Sequence, residues 1–261
     1  MKRYPLFVRC VLSAFVSSAS LMAAIVEKPI SYEHSGATLH GLLVYDEAKV
    51  GGGERLPGVL VIHQWMGRGE FEAAQARQLA AEGYVAFALD MYGEQPKNTA
   101  EARALTAQFY GKALMAERAG AGLDQLLSSD FVDSEKVAAI GYCFGGTTAM
   151  ALAYSAAPLA GIVSFHGGLI EAPETAPEPL RAKFLICHGA VDPFVPWAQV
   201  QATLDSLEAA KIDYQFIAYQ GAVHSFTDPA ATGEGSPGAK YQREAAERSW
   251  AHMIQFFEEI F

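Results

Sequence analysis

The stretch KVAAIGYCFGG, residues 136–146, decides the fold of this 261-residue chain. Its apolar run ends abruptly at Cys143, which lies between glycines, and good helix formers follow at residues 149–154. The pattern predicts a strand, a sharp turn and a helix, with Cys143 in the nucleophile position of a G-x-nucleophile-x-G turn. Glycines suit this turn because bulky β-carbons have no room in it. The same residues also fit a tight turn around a buried structural cysteine, so any chemistry depends on partners elsewhere.

The composition of the chain excludes several kinds of partner. Hydrophobic residues make up 51% of the sequence, and the formal net charge is −10. Such an acidic chain lacks the basic face that nucleic acids and anionic membranes require. The length and apolar content suit one large core. We therefore expect a single domain over residues 25–261. The acidic charge by itself indicates no substrate, and a monomer or small homo-oligomer that acts on a small molecule is a separate expectation.

Residues 1–24 have the pattern of a secretory signal peptide. Lys2, Arg3 and Arg9 precede an apolar segment at 11–24 that is too short to span a bilayer and ends in small residues. An uncleaved anchor and a buried N-terminal helix are the alternatives. Export predicts a periplasmic or secreted protein with no membrane attachment once the leader is removed. Only two cysteines would then remain, which is too few for a disulfide scaffold.

Strand and helix signals alternate along the rest of the chain. The pattern predicts an edge hairpin over 25–45 turning at Ser35-Gly36, and buried strands at 57–63, 84–90, 159–165, 184–188 and 214–219. Helices are predicted at 71–82, at 98–129 with a break near Gly120, at 198–210 and at 239–260. This rhythm predicts an α/β fold with a mostly parallel central sheet flanked by helices. The short Pro-rich loop at 172–179 leaves no room for a lid domain.

Two loops further along the chain supply a carboxylate and a base for Cys143. Asp192 follows the predicted strand at 184–188, and His224 follows the strand at 214–219. The C-terminal edge of an open parallel sheet gathers such residues, and the order nucleophile, acid, histidine suits this fold. We therefore predict Cys143, Asp192 and His224 as catalytic residues. The backbone amides of Phe144 and Trp65 are the predicted oxyanion donors.

Other histidines and the second cysteine leave alternatives open. His63, His166 and His188 also end strands, so a zinc site is conceivable, but no pair has the short helical spacing of a metal motif, and we predict no metal or cofactor. Cys187 lies in an apolar run and is predicted to be a buried core residue. A redox role for Cys143 would need a resolving cysteine. The substrate pocket is predicted to be lined by His63, Gln64, Tyr92, His166 and Phe226.

Four segments of the chain together resemble the dienelactone hydrolase family of α/β-hydrolases. They are HQWMG at 63–67, LDMYG at 89–93, GYCFGG at 141–146 with SFHGG at 164–168, and HGAVDPFVP at 188–196 with VHSFT at 223–227. The resemblance covers essentially the whole mature chain. It implies an α/β-hydrolase fold, a triad of Cys143, Asp192 and His224, and an oxyanion hole from the amides of Trp65 and Phe144.

The sequence departs from the family pattern at three positions. The family usually has a glutamate at the position of Gln64, and its dienelactone hydrolases have arginines at the positions of Glu94 and Asp228 to hold the substrate carboxylate. Acidic groups there would repel such a substrate. We therefore expect a hydrolase for an ester or lactone other than dienelactone. The alternative is a non-catalytic ligand-binding protein that retains the hydrolase scaffold.

Overall fold

The computed structural model describes residues 24–175, 178 and 180–261. The predicted signal peptide, apart from Ala24, lies outside the described residues. Along the chain the elements are β1 (Ile25–His34), β2 (Ala37–Asp46), α1 (Glu47–Val50), β3 (Leu56–Ile62), α2 (Glu70–Glu82), β4 (Val85–Ala88), α3 (Thr99–Thr106), α4 (Leu114–Leu127), β5 (Val132–Tyr142), α5 (Phe144–Tyr154), β6 (Gly161–Phe165), β7 (Lys183–Gly189), α6 (Trp197–Ala209), β8 (Tyr214–Tyr219) and α7 (Arg243–Ile260).

The eight strands form one sheet in the order β1-β2-β4-β3-β5-β6-β7-β8. β1 and β2 are an antiparallel hairpin at the edge, and β2 is also antiparallel to β4. All remaining neighbours are parallel, so the predicted mostly parallel sheet and the edge hairpin are confirmed. Ser35 and Gly36 turn the hairpin with positive φ angles of 48° and 76°. The C-terminal ends of β3 and β5 to β8 consequently meet along one edge of the sheet.

Hydrophobic layers cover both faces of the sheet. Successive residues of a strand point to opposite faces, so in β3 Leu60 and Ile62 join one layer while Val59 and Val61 join the other. Side chains of α4, α5 and α6 complete the first layer, and side chains of α2 and α7 complete the second. This double cover explains why the central strands read as continuous apolar runs. None of the helices in the described part of the chain is long and apolar enough to cross a bilayer.

Two predicted helix boundaries were wrong. α4 continues through Gly120 and Gly122, and the chain leaves the helical path earlier, at residues 107–113. A β-carbon on Gly122 would lie 2.9 Å from the β-carbon of Leu89, so this glycine permits close packing on the sheet and does not end the helix. α7 begins at Arg243 and not at residue 239, because Lys240 is held by a backbone bond to His224.

Candidate active site

Cys143 occupies a strained turn between β5 and α5. Its φ of 54° and ψ of −114° lie in a region that L-residues rarely adopt, at a cost of about 1–3 kcal/mol. Glycine is required on both sides. A β-carbon on Gly141 would lie 2.0 Å from the carbonyl oxygen of Gly145, and one on Gly145 would lie 2.2 Å from that of Ile62. The turn is therefore packed directly against the end of β3, and Cys143 is held half-buried at the N-terminus of α5.

Asp192 and His224, from the loops after β7 and β8, are in direct contact. The Nδ1 atom of His224 lies 2.8 Å from Oδ2 of Asp192, and Oδ1 of Asp192 accepts the Phe194 N–H at 2.8 Å. The backbone of His224 is fixed as well, since its N–H donates to Gly238 O and its carbonyl accepts from the Lys240 N–H, both at 2.9 Å. The Asp192 contact occupies Nδ1, which leaves Nε2 as the ring nitrogen available to a reacting group.

The charge of His224 depends on both of its predicted partners. Burial by itself lowers the pKa of His224, but the Cys143 thiolate and the Asp192 carboxylate together raise it to about 10. The sulfur thus lies close enough to the imidazole for a strong electrostatic interaction. The rings of His166 and Phe194 pack edge-on against His224, with centroids 5.2 and 5.3 Å away. These contacts hold the imidazole in one orientation between the carboxylate and the thiol.

The two predicted oxyanion donors come from neighbouring strands. β3 and β5 are adjacent and parallel, with Ile62 beside Gly141, so the loop that contains Trp65 meets the turn that contains Phe144. Within the described residues, neither the Trp65 N–H nor the Phe144 N–H donates to a protein acceptor. Tyr92 steadies the first loop, because its hydroxyl donates to the Trp65 carbonyl at 3.0 Å. Two amides without a protein acceptor in the described chain therefore follow the ends of two adjacent strands.

Glu72 supports the loop with Trp65 and was missed by the sequence reasoning. Its side chain is buried in α2, where Oε1 accepts the Gln64 N–H at 3.2 Å and Oε2 accepts the Gly69 N–H at 2.8 Å. Burial raises the pKa of this carboxyl. The available signal was a glutamate three residues after Gly69, which is the spacing of a helix N-terminal cap.

Three of the five predicted pocket residues lie beneath the site and not on its wall. His63, His166 and Phe226 are each 1% exposed or less. Nε2 of His63 accepts the Met91 N–H at 3.1 Å while Nδ1 bonds the Gln64 carbonyl, and burial lowers the pKa of this ring to about 4. These three side chains are covered because residues at the ends of central strands are packed on both faces of the sheet. Their uncharged side chains support the catalytic loops from below.

His166 has the same supporting role. Its Nε2 atom lies 2.8 Å from the hydroxyl of Thr227, and its ring meets Phe226 edge-on at 5.1 Å. Burial lowers the pKa of His166 well below its ordinary value, so the ring is neutral. Of the remaining predicted pocket residues, Tyr92 is 7% exposed and Gln64 is half-buried. The structure thus leaves Gln64 as the most accessible residue of the predicted set.

The side chain of Gln64 contacts Asp228, and both residues are among the three positions at which the chain departs from the family pattern. The Nε2 atom of Gln64 donates to Oδ2 of Asp228 at 2.9 Å, and Oδ1 of Asp228 accepts the Ala230 N–H at 2.9 Å. Glu94 is exposed in the loop after β4. Gln64 is therefore bonded to two carboxylates, through its side chain to Asp228 and through its backbone N–H to Glu72. Neither position at which the family has an arginine carries one here, although Arg68 lines the same small cavity as Glu94.

Tyr110 is a second residue near the sulfur that the sequence reasoning missed. Its side chain is 49% exposed, and its ring packs edge-on against Phe144 at 5.7 Å. Partial burial and the negative charge of the Cys143 thiolate raise the pKa of Tyr110 to about 12. No signal marked this tyrosine, because it lies in an Ala-rich stretch that reads only as helix.

In the part of the chain that the structure describes, Cys187 and the other histidines form no second centre. Among the described residues, no three His, Cys, Asp or Glu side chains are gathered closely enough to hold a metal ion. The alternative zinc site therefore has no ligand cluster in that part of the chain. Cys187 is buried in β7, and burial raises the pKa of its thiol to about 12. A thiol in this state is a poor nucleophile, as expected for a core residue.

The fold and the site together define the class of the protein. An open, mostly parallel sheet with a cysteine at the turn after β5, and a hydrogen-bonded aspartate and histidine after β7 and β8, is the arrangement of an α/β-hydrolase.

The chain belongs to the dienelactone hydrolase family, whose model matches residues 42–261. The crystal structure of P91, a dienelactone hydrolase-like promiscuous phosphotriesterase from metagenomic libraries, is similar with a TM-score of 0.85 and 38% identity, covering 91% of this chain and 99% of P91. The structure of m3DLH has the same TM-score and coverage with 37% identity. The uncharacterized protein K02A2.1 of Caenorhabditis elegans is 34% identical over 146 residues, 55% of this chain and 92% of the relative.

Proposed function

We propose that this protein hydrolyses a carboxylic ester or lactone through a thioester on Cys143. The observation that carries the proposal is the Asp192–His224 hydrogen bond of 2.8 Å at the sheet edge where Cys143 lies at the head of α5. The electrostatic coupling between His224 and the sulfur supports it further. Membership of a hydrolase family gives the reaction class.

Acylation begins with His224 holding the proton of the Cys143 thiol. The thiolate attacks the carbonyl carbon, and the carbonyl electrons move onto oxygen. The amides of Trp65 and Phe144 bind this oxyanion, and they are suited to do so because no protein acceptor in the described chain uses them. The C–O bond then breaks, His224 gives its proton to the departing alkoxide, and the acyl group remains on sulfur as a thioester.

Deacylation repeats the same steps with water. His224, now neutral and oriented by Asp192, removes a proton from a water molecule as that water attacks the thioester carbonyl. The second oxyanion occupies the same two amides. Its collapse breaks the C–S bond, releases the carboxylic acid and restores the thiolate beside the protonated imidazole. For a lactone, the alcohol and acid are parts of one product.

Replacement of each cysteine tests the proposal. Cys143→Ala should abolish hydrolysis of p-nitrophenyl acetate, and iodoacetamide should inactivate the wild-type protein in proportion to alkylation of Cys143. Cys187→Ala is the matched control and should retain activity, because its thiol is fully buried in β7 and its pKa is raised to about 12, so it does not react as a nucleophile. Full activity in Cys143→Ala would eliminate the mechanism. Absence of turnover on a panel of esters and lactones, together with a native Cys143 that reacts more slowly than the unfolded one, would favour the non-catalytic binding protein.

The acidic positions narrow the proposed substrate. Asp228 accepts a hydrogen bond from Gln64, and Glu94 is exposed in the loop after β4. Neither can pair with a substrate carboxylate, which would instead be repelled. The proposal is therefore for a neutral ester or lactone and not for dienelactone itself.

A further inference from the structure

A groove of about 1060 Å³ runs between α4 and α5 and has no role in the chemistry described above. Small and apolar side chains form much of its wall. Ala116, Gly120 and Ala121 contribute from α4, and Ala151 and Leu152 contribute from α5. Small residues on both facing helices keep the space between them open. The groove is thus suited to an elongated apolar group.

One end of the groove lies beside the proposed nucleophile. Thr147, which lines the groove, follows Cys143 by one helical turn, and its N–H lies 3.4 Å from the Cys143 carbonyl. Residues four apart share a helix face, so Thr147, Ala151 and Ser155 form a line that begins one helical turn after Cys143. From Thr147 to Ser155 this line is about 12 Å long. Tyr110 stands at the same end, against Phe144.

The charges around the groove disfavour an anionic occupant. Glu117, Asp124 and Glu171 line it, with Lys112 as the lysine among the lining residues. An acidic rim repels carboxylates and phosphates. An uncharged hydrocarbon chain is compatible with both the rim and the apolar wall.

The position of the groove distinguishes the two halves of an ester. α4 packs over β3, β4 and β5, and α5 packs over β3, β5 and β6, whereas His224 follows β8, two strands beyond β6 at the edge of the sheet. The leaving alcohol must pass the imidazole that protonates it. The acyl group stays on the sulfur at the head of α5, and residues of α5 line the groove. An acyl chain that followed this face of α5 would lead away from His224.

We propose that the α4–α5 groove binds the acyl chain of the substrate, so that the natural substrate is a neutral ester with an elongated apolar acyl group. This inference rests on the proposed function. On this proposal, the α4–α5 groove determines which esters the enzyme prefers, and its residues take no part in making or breaking bonds.

Gly120 allows a direct test with no change to the catalytic residues. A β-carbon at this position meets no atom within 4 Å, and the residue is in the interior of α4, so leucine fits there and favours the helix. For the wild-type protein, kcat/KM of p-nitrophenyl esters should rise roughly two- to fourfold per added methylene from acetate to octanoate. Gly120→Leu should lower kcat/KM for octanoate by about tenfold or more and leave acetate unchanged. Two control variants, Gly120→Ala and Gln201→Leu, should keep the wild-type ratio of kcat/KM for octanoate to kcat/KM for acetate. Gln201 lies on the exposed face of α6.

The outcomes separate this inference from the proposed function. If wild-type protein hydrolyses acetate through Cys143 but shows no preference for octanoate, or if Gly120→Leu keeps the wild-type octanoate-to-acetate ratio, the groove does not bind the acyl chain. A change of oligomeric state in Gly120→Leu, measured by light scattering, would identify the groove as a protein interface and overturn the inference. Absence of turnover of both esters by the wild-type protein would refute the proposed function, and the inference with it.

Discussion

At the scale of single residues, Asp192 helps to keep the proposed base protonated. Burial lowers the pKa of His224, and the charge of Cys143 together with the carboxylate of Asp192 raises it to about 10. Asp192→Asn removes the carboxylate charge, so the pKa of His224 should fall. Because the protonated imidazole must deliver a proton to the alkoxide, the alkaline limb of the pH–rate profile should move to lower pH. kcat/KM should also drop by about 10³–10⁴, as in other triads.

The pH dependence of kcat/KM measures this effect, and a matched carboxylate provides the control. Asp205 is exposed on α6, and Asp205→Asn should leave both the rate and the profile unchanged. An alkaline limb that stays in place in Asp192→Asn would mean that a group other than His224 controls it.

Some residues of the candidate site could be predicted from the sequence, and others could not. The glycines around Cys143 were predictable because their clashes arise within one turn and against one neighbouring strand. Asp192 and His224 were predictable because parallel strand ends share an edge. The roles of Tyr110 and Glu72 depend on contacts with loops distant in the sequence, and no local pattern encodes those contacts. The burial of the predicted pocket histidines likewise depends on packing from both faces.

At the scale of elements, two glycines in α4 should respond oppositely to the same substitution. Gly120 faces open space, so Gly120→Ala should raise the free energy of unfolding by about 0.5–1 kcal/mol through better helix propensity. Gly122→Ala should lower it by about 1–3 kcal/mol, because the new methyl group would lie 2.9 Å from the Leu89 β-carbon. Urea unfolding of both variants measures the difference. If Gly120→Ala and Gly122→Ala changed the free energy of unfolding in the same direction, α4 would not pack on the sheet as described.

This pair also explains why a helix boundary was wrongly predicted. In the sequence, Gly120 and Gly122 look like a break because glycine is a poor helix former. In the structure, packing of α4 on the sheet outweighs that local preference, and Gly122 permits the close approach. The strands were predicted more accurately, since burial on both faces imposes continuous apolar runs that are visible in the sequence.

At the scale of the whole molecule, the sheet order brings together groups that are remote in the sequence. Because β5, β6, β7 and β8 are consecutive neighbours, the loops with Cys143, Asp192 and His224 lie along one edge. The α4–α5 groove borders the same edge through Thr147. The strand order could not be derived from the periodicity of the chain. Periodicity shows which segments are strands and which are buried, but it does not show which strands are neighbours.

The acidic character of the whole chain leads to a prediction about salt. The formal net charge of −10, together with Asp228 and Glu94, should make an ester that carries a carboxylate a poorer substrate than a neutral ester of equal length. Raising the salt from 0.01 to 0.15 M shortens the Debye length from about 30 to about 8 Å. The difference in kcat/KM between the anionic ester and the neutral ester should therefore become smaller. The neutral ester should be insensitive to salt, and Asp228→Asn should reduce this difference already at low salt. A difference that is independent of salt and of Asp228 would mean that apolar walls, and not charge, exclude the anion.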